Sequence, residues 1–226
     1  MCFSITASLT TAAILIPSGI YCLKEAKQLD KPYWVFAMLP FMFGIQQLLE
    51  GGVWFALLND NAIAVRTFSL GFLAFSHVLW LGWIPYSAYL TESSPFLKHV
   101  FKLITIVGVF IGLSMFVPLL FNPDWLRTSV VNNSIYYDLT FITNGYMSQS
   151  LLTATYAAVI LIPLLLSSDR YHKILGVFIL ISGVVSWVFY NWVFVSVWCY
   201  FAAVISLYVF YVILSCVKVN MVSKAT

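Results

Sequence analysis

Residues 100–121 read VFKLITIVGVFIGLSMFVPLLF, a run of 22 residues with one charged side chain, Lys102. A helix needs about 20 mainly apolar residues to cross the hydrocarbon core of a bilayer, so this run predicts a transmembrane helix. Of all 226 residues, 62% are hydrophobic and only 8% are charged, whereas roughly a quarter are charged in soluble domains. So few charges cannot cover a water-facing surface, and the composition therefore predicts an integral membrane protein whose main partner is the lipid bilayer.

Six further stretches have the length and composition of membrane spans. Together with residues 100–121, they predict a single all-α transmembrane domain over residues 1–226, a polytopic bundle of seven transmembrane helices. The predicted helices cover about residues 4–23, 33–58, 62–90, 100–121, 145–167, 174–190 and 192–217, with an outer loop at about 122–144.

Lysine and arginine residues are divided unevenly between the two sets of loops. One set contains only Arg66 and Arg127. The other set, with the C-terminal tail, contains Lys24, Lys27, Lys31, Lys98, Lys102, Arg170, Lys173, Lys218 and Lys224. Because short cytoplasmic loops are enriched in positive charge, the N-terminus is predicted outside the cell membrane and the C-terminus in the cytosol. These cations are scattered rather than clustered, which argues against a nucleic-acid partner.

Ionisable side chains inside a bilayer are costly, so each one is a candidate functional residue. Glu50 is the only acidic residue and His77 the only histidine within the predicted helices, since the other two histidines fall in predicted cytosolic loops. Gln46, Glu50 and Trp54 follow each other at intervals of four residues and therefore share one helix face, next to Gln47. The sequence predicts that this face points into the bundle and, with His77, binds a small polar ligand.

The same region also contains candidate metal ligands. Cys2 and Cys199 are predicted to lie in the outer half of the membrane, together with Glu50 and His77. Thiolate, carboxylate and imidazole groups bind zinc, copper and iron, so these four residues are a candidate transition-metal site. Three structural alternatives stay open: a protonated Glu50 that hydrogen-bonds to a neighbour, cysteines that only fill space, and a Cys2–Cys199 disulfide, against which the different predicted depths argue.

Three classes of function are compatible with this pattern, and the sequence does not decide whether the chain is an enzyme. The first is a protein that binds or transports a small polar ligand, a proton or a transition metal from outside. The second is a membrane-embedded metalloenzyme or redox enzyme that uses the same residues. The third is a sensor or assembly subunit with a structural polar cluster. A homo-oligomer or a complex with a membrane partner is compatible with all three classes.

Several short motifs resemble one family. They are the start Met-Cys-Phe-Ser at 1–4, Gly-Ile-Gln-Gln at 44–47, Glu-Gly at 50–51, Trp54 and, more weakly, Trp-Cys at 198–199. In these motifs the chain resembles an uncharacterised family of bacterial seven-helix integral membrane proteins, a domain of unknown function. The resemblance implies a bacterial inner membrane and about seven helices, and it implies no activity.

Overall fold

The computed structural model describes residues 4–29, 32–139 and 149–225, which are mostly helical. Five helical stretches are long and apolar enough to cross a membrane, and a sixth, Ser150–Leu166, is apolar but shorter. The five are Ile5–Ala26, Trp34–Leu58, Ala62–Thr91, Pro95–Phe121 and Arg170–Asn220. These helices are compatible with the membrane location that the composition predicts.

The helices are numbered here in chain order. In the first half of the chain they are α1 (Ile5–Ala26), α2 (Trp34–Ala37), α3 (Leu39–Leu58), α4 (Ala62–Leu73), α5 (Trp80–Thr91) and α6 (Pro95–Phe121). In the second half they are α7 (Gln149–Leu166), α8 (Arg170–Tyr190), α9 (Phe194–Ile205) and α10 (Leu207–Ala225). Single residues separate α2 from α3 and α9 from α10, so each of these pairs continues as one rod.

Polar side chains fix where several helices begin. Ser4, Asn61 and Asp169 precede α1, α4 and α8, and each accepts a hydrogen bond from a backbone N–H of the first turn. Such caps satisfy N–H groups that have no partner inside the helix. The cap at Asp169 explains why α8 begins at Arg170, four residues before the predicted start at 174. Hydropathy alone does not detect the polar first turn of this helix.

A π-helical segment, Ala74–Leu79, joins α4 to α5 within the third predicted span. The backbone N–H of Trp80 bonds to the carbonyl of Phe75, five residues back, instead of to that of Ser76. Such insertions rotate the side chains that follow and are frequent at functional sites. The span is therefore continuous, as predicted, but its middle is not α-helical.

A β-hairpin in the outer loop corrects the all-α prediction. Strand β1, Arg127–Val131, pairs antiparallel with β2, Ser134–Asp138, so that Val131 lies opposite Ser134. The two residues between the strands, Asn132 and Asn133, have φ angles of 48° and 57°. Asparagine tolerates this left-handed conformation, which a two-residue hairpin turn requires, and the predicted polar loop is therefore folded in this part.

The helices pack as a closed ring. Helix α1 packs between α3 and α10, α3 packs on α4, α5 packs on α6 and α7, α7 packs on α8, α8 packs on α9, and α9 contacts α3. Glycines allow the closest approaches: a Cβ atom at Gly112 of α6 would collide with the backbone of His77, and one at Gly108 with that of Leu81. Small residues at such crossings are typical of helices that pack in a membrane.

Hydrogen bonds gather the lysine- and arginine-rich loops at one end of this ring. Asn220 near the end of α10 donates to the Gln28 carbonyl after α1 at 2.8 Å. The backbone N–H of Ser168, between α7 and α8, donates to Glu92, between α5 and α6, at 2.8 Å. This end is called the basic end below, and the opposite end, which holds β1 and β2, is called the hairpin end.

Candidate functional site

Glu50 lies on α3 and is fully buried. Its Oε1 atom accepts a hydrogen bond from Ser196 Oγ of α9 at 2.6 Å, and its Oε2 atom accepts one from Gln47 Nε2 at 3.1 Å. The two carboxyl oxygens thus have donors from two different helices. Because an unsatisfied carboxyl group in a dry interior would be costly, these contacts stabilise the packing of α3 against α9.

The other predicted residues of this face surround Glu50. Gln46 is fully buried and its Oε1 atom accepts a hydrogen bond from Trp80 Nε1 at 3.0 Å. Cys199 of α9 is buried, three residues after Ser196, whose hydroxyl donates to Glu50. Trp54 is buried in an apolar cluster that also includes Cys199. The structure therefore brings together Gln46, Gln47, Glu50, Trp54 and Cys199.

His77 occupies a separate position, in the π-helical segment. It is 3% exposed, and its Nδ1 atom lies 2.9 Å from Ser76 Oγ. The Ser76 carbonyl, which the Trp80 N–H does not use, accepts a hydrogen bond from Tyr156 OH of α7 at 2.5 Å. The π-helical geometry therefore both orients His77 and fastens this segment to α7.

The predicted metal site has one ligand that the structure does not describe, since Cys2 lies outside the described residues. Within residues 4–29, 32–139 and 149–225, no group of three or more His, Cys, Asp or Glu side chains is arranged to hold a metal ion. Cys199, Cys22 and Cys216 are free thiols. A metal bound by Glu50, His77, Cys2 and Cys199 thus stays a prediction that depends on Cys2.

A cavity of about 140 Å³ lies beside Glu50, at the hairpin end. This cavity is called the outer cavity below. Ser196 lines it and donates a hydrogen bond to Glu50, so the Ser196 hydroxyl joins the cavity to the buried carboxyl group. The rest of the wall is aromatic and aliphatic with a few polar groups, and among the described residues it contains no Lys, Arg, Asp or Glu. The polar and aromatic groups that reach the cavity include Ser76, His77, Tyr156, Asn191, Trp192 and Trp198.

The β-hairpin covers the outer cavity. Three consecutive residues of β2, Ile135 to Tyr137, belong to its wall. The ring of Tyr137 stacks on Phe72 of α4 with 5.0 Å between centroids, and the hydroxyls of Thr128 and Ser69 lie 2.9 Å apart. Sequence analysis missed this element, although two asparagines between runs of β-branched and aromatic residues are a hairpin signal.

A smaller cavity of about 40 Å³ lies deeper in the bundle and has an almost wholly apolar wall. It shares three wall residues, Tyr156, Trp198 and Cys199, with the outer cavity. The rings of Tyr156 and Trp198 meet edge to face with 5.8 Å between centroids. These side chains thus form a partition between the outer cavity and this inner cavity.

A second buried polar cluster lies at the basic end. It consists of Tyr33, Ser87, Thr91, Asp169 and His172 and is called the Asp169 cluster below. Ser87 Oγ lies 3.0 Å from His172 Nε2, Asp169 Oδ1 lies 3.4 Å from His172 Nδ1, and Tyr33 OH donates to Asp169 Oδ2 at 2.5 Å. The order of these contacts is that of a Ser–His–Asp relay, but Ser87 is only 2% exposed. Its hydroxyl is therefore not presented to a substrate in this conformation.

Sequence analysis overlooked this cluster because it assigned His172 to a loop. The structure corrects this: His172 lies in the first turn of α8 and is fully buried. Burial raises the pKa of Asp169, but hydrogen bonds from His172 and Tyr33 outweigh this effect and hold that pKa below its usual range. The polar motif Asp-x-x-His before an apolar run was the available signal, since Asp is a preferred helix cap.

Glu92 makes a further buried connection at the basic end. It is 4% exposed, and its carboxylate accepts hydrogen bonds from the backbone N–H groups of Ser93, Ser94 and Ser168 at 2.8–2.9 Å. Burial raises the pKa of Glu92, but the hydrogen bonds from Ser168, Ser94 and Ser93 outweigh it, so the pKa lies below the ordinary value. Glu92 therefore holds two loops together as an anion.

The fold and the site define a helical protein in which five membrane-length helices and their neighbours enclose a buried carboxyl group beside an aromatic cavity. The chain belongs to a family of unknown function (DUF6629), whose model matches residues 1–222. This match agrees with the expected membership of an uncharacterised family. Comparisons with curated proteins and with solved structures give no match.

Proposed function

We propose that this protein crosses the membrane seven times, with its N-terminus outside and its C-terminus in the cytosol. The 51-residue stretch Arg170–Asn220 supplies two of these crossings, because α8 and α9 pack against each other on either side of the turn Asn191–Val193. Helix α7 has 18 residues and is about 27 Å long at 1.5 Å per residue, close to the roughly 30 Å core of a bilayer. The gathering of the basic loops at one end supports a cytosolic basic end.

In this arrangement the protein binds a small ligand in the outer cavity and passes it, or a proton, to or across the membrane. The observation that carries this proposal is the position of Ser196, whose hydroxyl lines the cavity and donates to the buried Glu50. A buried carboxyl group reached from a cavity through one hydroxyl is an arrangement suited to proton or ligand coupling. Binding or transport is thus favoured over the sensor alternative, in which the cluster is only structural.

The cavity wall indicates the chemistry of the ligand. Aromatic rings and the thiol of Cys199 suit an apolar body, while Ser196, His77 and Asn191 offer hydrogen bonds. Because the described part of the wall contains no lysine or arginine, it does not favour an anionic ligand. We therefore propose a compact neutral or cationic molecule with at least one hydrogen-bonding group. A transition metal would need Cys2 as an additional ligand.

The test is native mass spectrometry with elemental analysis of protein purified in mild detergent. We expect the wild type to retain a small molecule or a metal ion, and Glu50→Gln and Ser196→Ala to lose it. The matched control is Ser114→Ala on α6, because Ser114 is exposed and bonds only to its own helix at Ile111. Equal occupancy in the wild type and Glu50→Gln, or a bound species in neither, would contradict the proposal. A fixed metal stoichiometry with substrate turnover would favour the metalloenzyme alternative instead.

A further inference from the structure

We infer that the outer and inner cavities are parts of one solute pathway along the bundle, and that the Asp169 cluster is its gate at the basic end. This inference rests on the proposed membrane function and deepens it, since it assigns a path and an exit to the bound ligand. The residues of this gate are not part of the Glu50 site.

The two cavities share a wall formed by Tyr156, Trp198 and Cys199. Tyr156 OH donates to the Ser76 carbonyl at 2.5 Å, and Trp198 Nε1 donates to the Ile179 carbonyl at 3.2 Å. The Tyr156 and Trp198 side chains are thus each held by one hydrogen bond, from the hydroxyl and the indole N–H respectively. Cys199 is the third residue of this partition. Rotation of these side chains about their χ angles joins the two cavities without moving a helix.

The inner cavity ends one helical turn from the Asp169 cluster. Its wall residue Ile84 lies three residues before Ser87 on α5, and its wall residue Leu175 lies three residues after His172 on α8. Three residues span about 5 Å along a helix. On the third side, the wall residue Leu39 follows Phe36 by three residues, and the ring of Phe36 contacts that of His172 with 4.5 Å between centroids. Three rods thus lead from the inner cavity to the same cluster.

The cluster closes the pathway with polar contacts between separate segments. Tyr33 precedes α2, Ser87 belongs to α5, and Asp169 and His172 belong to the start of α8. Tyr33 donates a hydrogen bond to Asp169, Ser87 Oγ lies 3.0 Å from His172 Nε2, and Thr91 Oγ1 of α5 lies 3.5 Å from His172 Nδ1. An apolar seal would be sufficient for packing alone. Polar ties that water can replace allow the segments to separate at modest cost, as a gate requires.

Cys199 provides a reporter within the chain, because its thiol lies in the partition and lines both cavities. The experiment places the full-length protein in right-side-out and inside-out vesicles and exposes it to a membrane-impermeant methanethiosulfonate. Mass spectrometry of peptides then separates modification of Cys199 from that of the other cysteines. The variants are Tyr33→Phe and Ser87→Ala, each of which removes one tie and keeps most of the side-chain volume.

We expect each variant to raise the rate of Cys199 modification from the basic end about fivefold, the ratio that the loss of one ordinary hydrogen bond gives. Modification from the hairpin end should stay at the wild-type rate. The matched control is Tyr21→Phe, because Tyr21 is 43% exposed on α1 and takes no part in the cluster. Comparable melting temperatures of wild type and variants establish that the fold is intact.

Two failures are distinguishable. If Cys199 of the wild type cannot be modified from the hairpin end, the outer cavity is not open to that side, and the proposed ligand site itself is wrong. If it reacts from the hairpin end but neither Tyr33→Phe nor Ser87→Ala changes its rate from the basic end, the Asp169 cluster is a structural tie and not a gate. If Tyr33→Phe does not accumulate, Ser87→Ala alone decides between these results.

Discussion

The hydroxyl of Ser196 connects the cavity to Glu50, which lies 146 residues earlier in the chain. It donates to Glu50 on α3 and forms part of the cavity wall on α9. The Glu50 carboxyl group is therefore connected to the cavity wall by a hydrogen bond, although it is not itself part of that wall. A ligand that competes for the Ser196 hydroxyl would change the hydrogen bonding of Glu50, which gives the site a direct way to couple binding to protonation.

The carboxylates at the basic end predict a loss of stability in acid. The pKa values of Glu92 and Asp169 lie below their ordinary values of 4.5 and 3.8. A lowered pKa means that the folded state favours the ionised form, so its stabilising contribution is complete above the ordinary value and disappears as the pH falls towards the folded value. We expect the midpoint of thermal unfolding in detergent to fall as the pH drops below about 4.5.

The variant Glu92→Gln tests whether Glu92 causes this loss of stability in acid. It keeps the side-chain shape but removes the anion that accepts from Ser93, Ser94 and Ser168. We expect a lower melting temperature at neutral pH and a weaker dependence on pH in the acid range. Glu25→Gln is the control, because Glu25 hydrogen-bonds only with exposed Gln28 at 3.1 Å. If the melting temperature of Glu92→Gln fell with acid as much as that of the wild type, other groups would be its cause.

At the scale of the elements, the π-helical segment and α6 depend on each other. The segment places Ser76 and His77 in the cavity wall, and α6 approaches it closely through Gly112. A side chain at position 112 would displace the backbone that orients His77. The position of His77 is thus set as much by a glycine on a neighbouring helix as by its own segment.

The substitution Gly112→Ala tests this dependence. The added methyl group would collide with the His77 backbone. Such overpacking typically lowers the free energy of unfolding by about 1–3 kcal/mol. We expect a lower melting temperature and a loss of any ligand retained by the wild type. Gly71→Ala is the matched control, because its methyl group would meet only the end of the Leu49 side chain, at 3.0 Å. Equal effects of the two substitutions would contradict a specific role for Gly112.

At the scale of the whole molecule, the ring of helices has two ends of different character. The hairpin end holds the outer cavity under its β-strands, and the basic end holds two buried carboxylates in short loops. The inner cavity lies between them. Polar clusters thus lie near both ends of the bundle with an apolar cavity between them, as the proposed gated pathway requires.

The proposed topology can be measured with reporter fusions at the C-terminus. We expect a green fluorescent protein fused after Thr226 to fluoresce in bacterial cells and an alkaline phosphatase at the same position to be inactive, because the proposed topology places the C-terminus in the cytosol. A fusion in the turn between Asn132 and Asn133, at the hairpin end, should give the opposite result. The reverse pattern at the C-terminus would overturn the assignment of the basic end to the cytosol.

The sequence predicted the helices better than it predicted the site. Long apolar runs predict helices because a bilayer-spanning chain must satisfy its own backbone, and the structure has five helical stretches that are long and apolar enough to cross a membrane. The face of Gln46, Gln47, Glu50 and Trp54 was predicted from helical spacing and is buried. The partner Ser196 was not predicted, because a serine is too common in apolar helices to be singled out before its contacts are known.

The sequence by itself determined the helical class, the number of apolar runs, the polar face around Glu50 and the uneven distribution of positive charge. These follow from local composition and periodicity, which are properties of neighbouring residues. Only the tertiary structure decided that Glu50 meets Ser196, that a hairpin covers the cavity, and that Tyr33, Ser87, Asp169 and His172 form one cluster. These contacts join residues far apart in the chain, and they form only when the helices close into a ring.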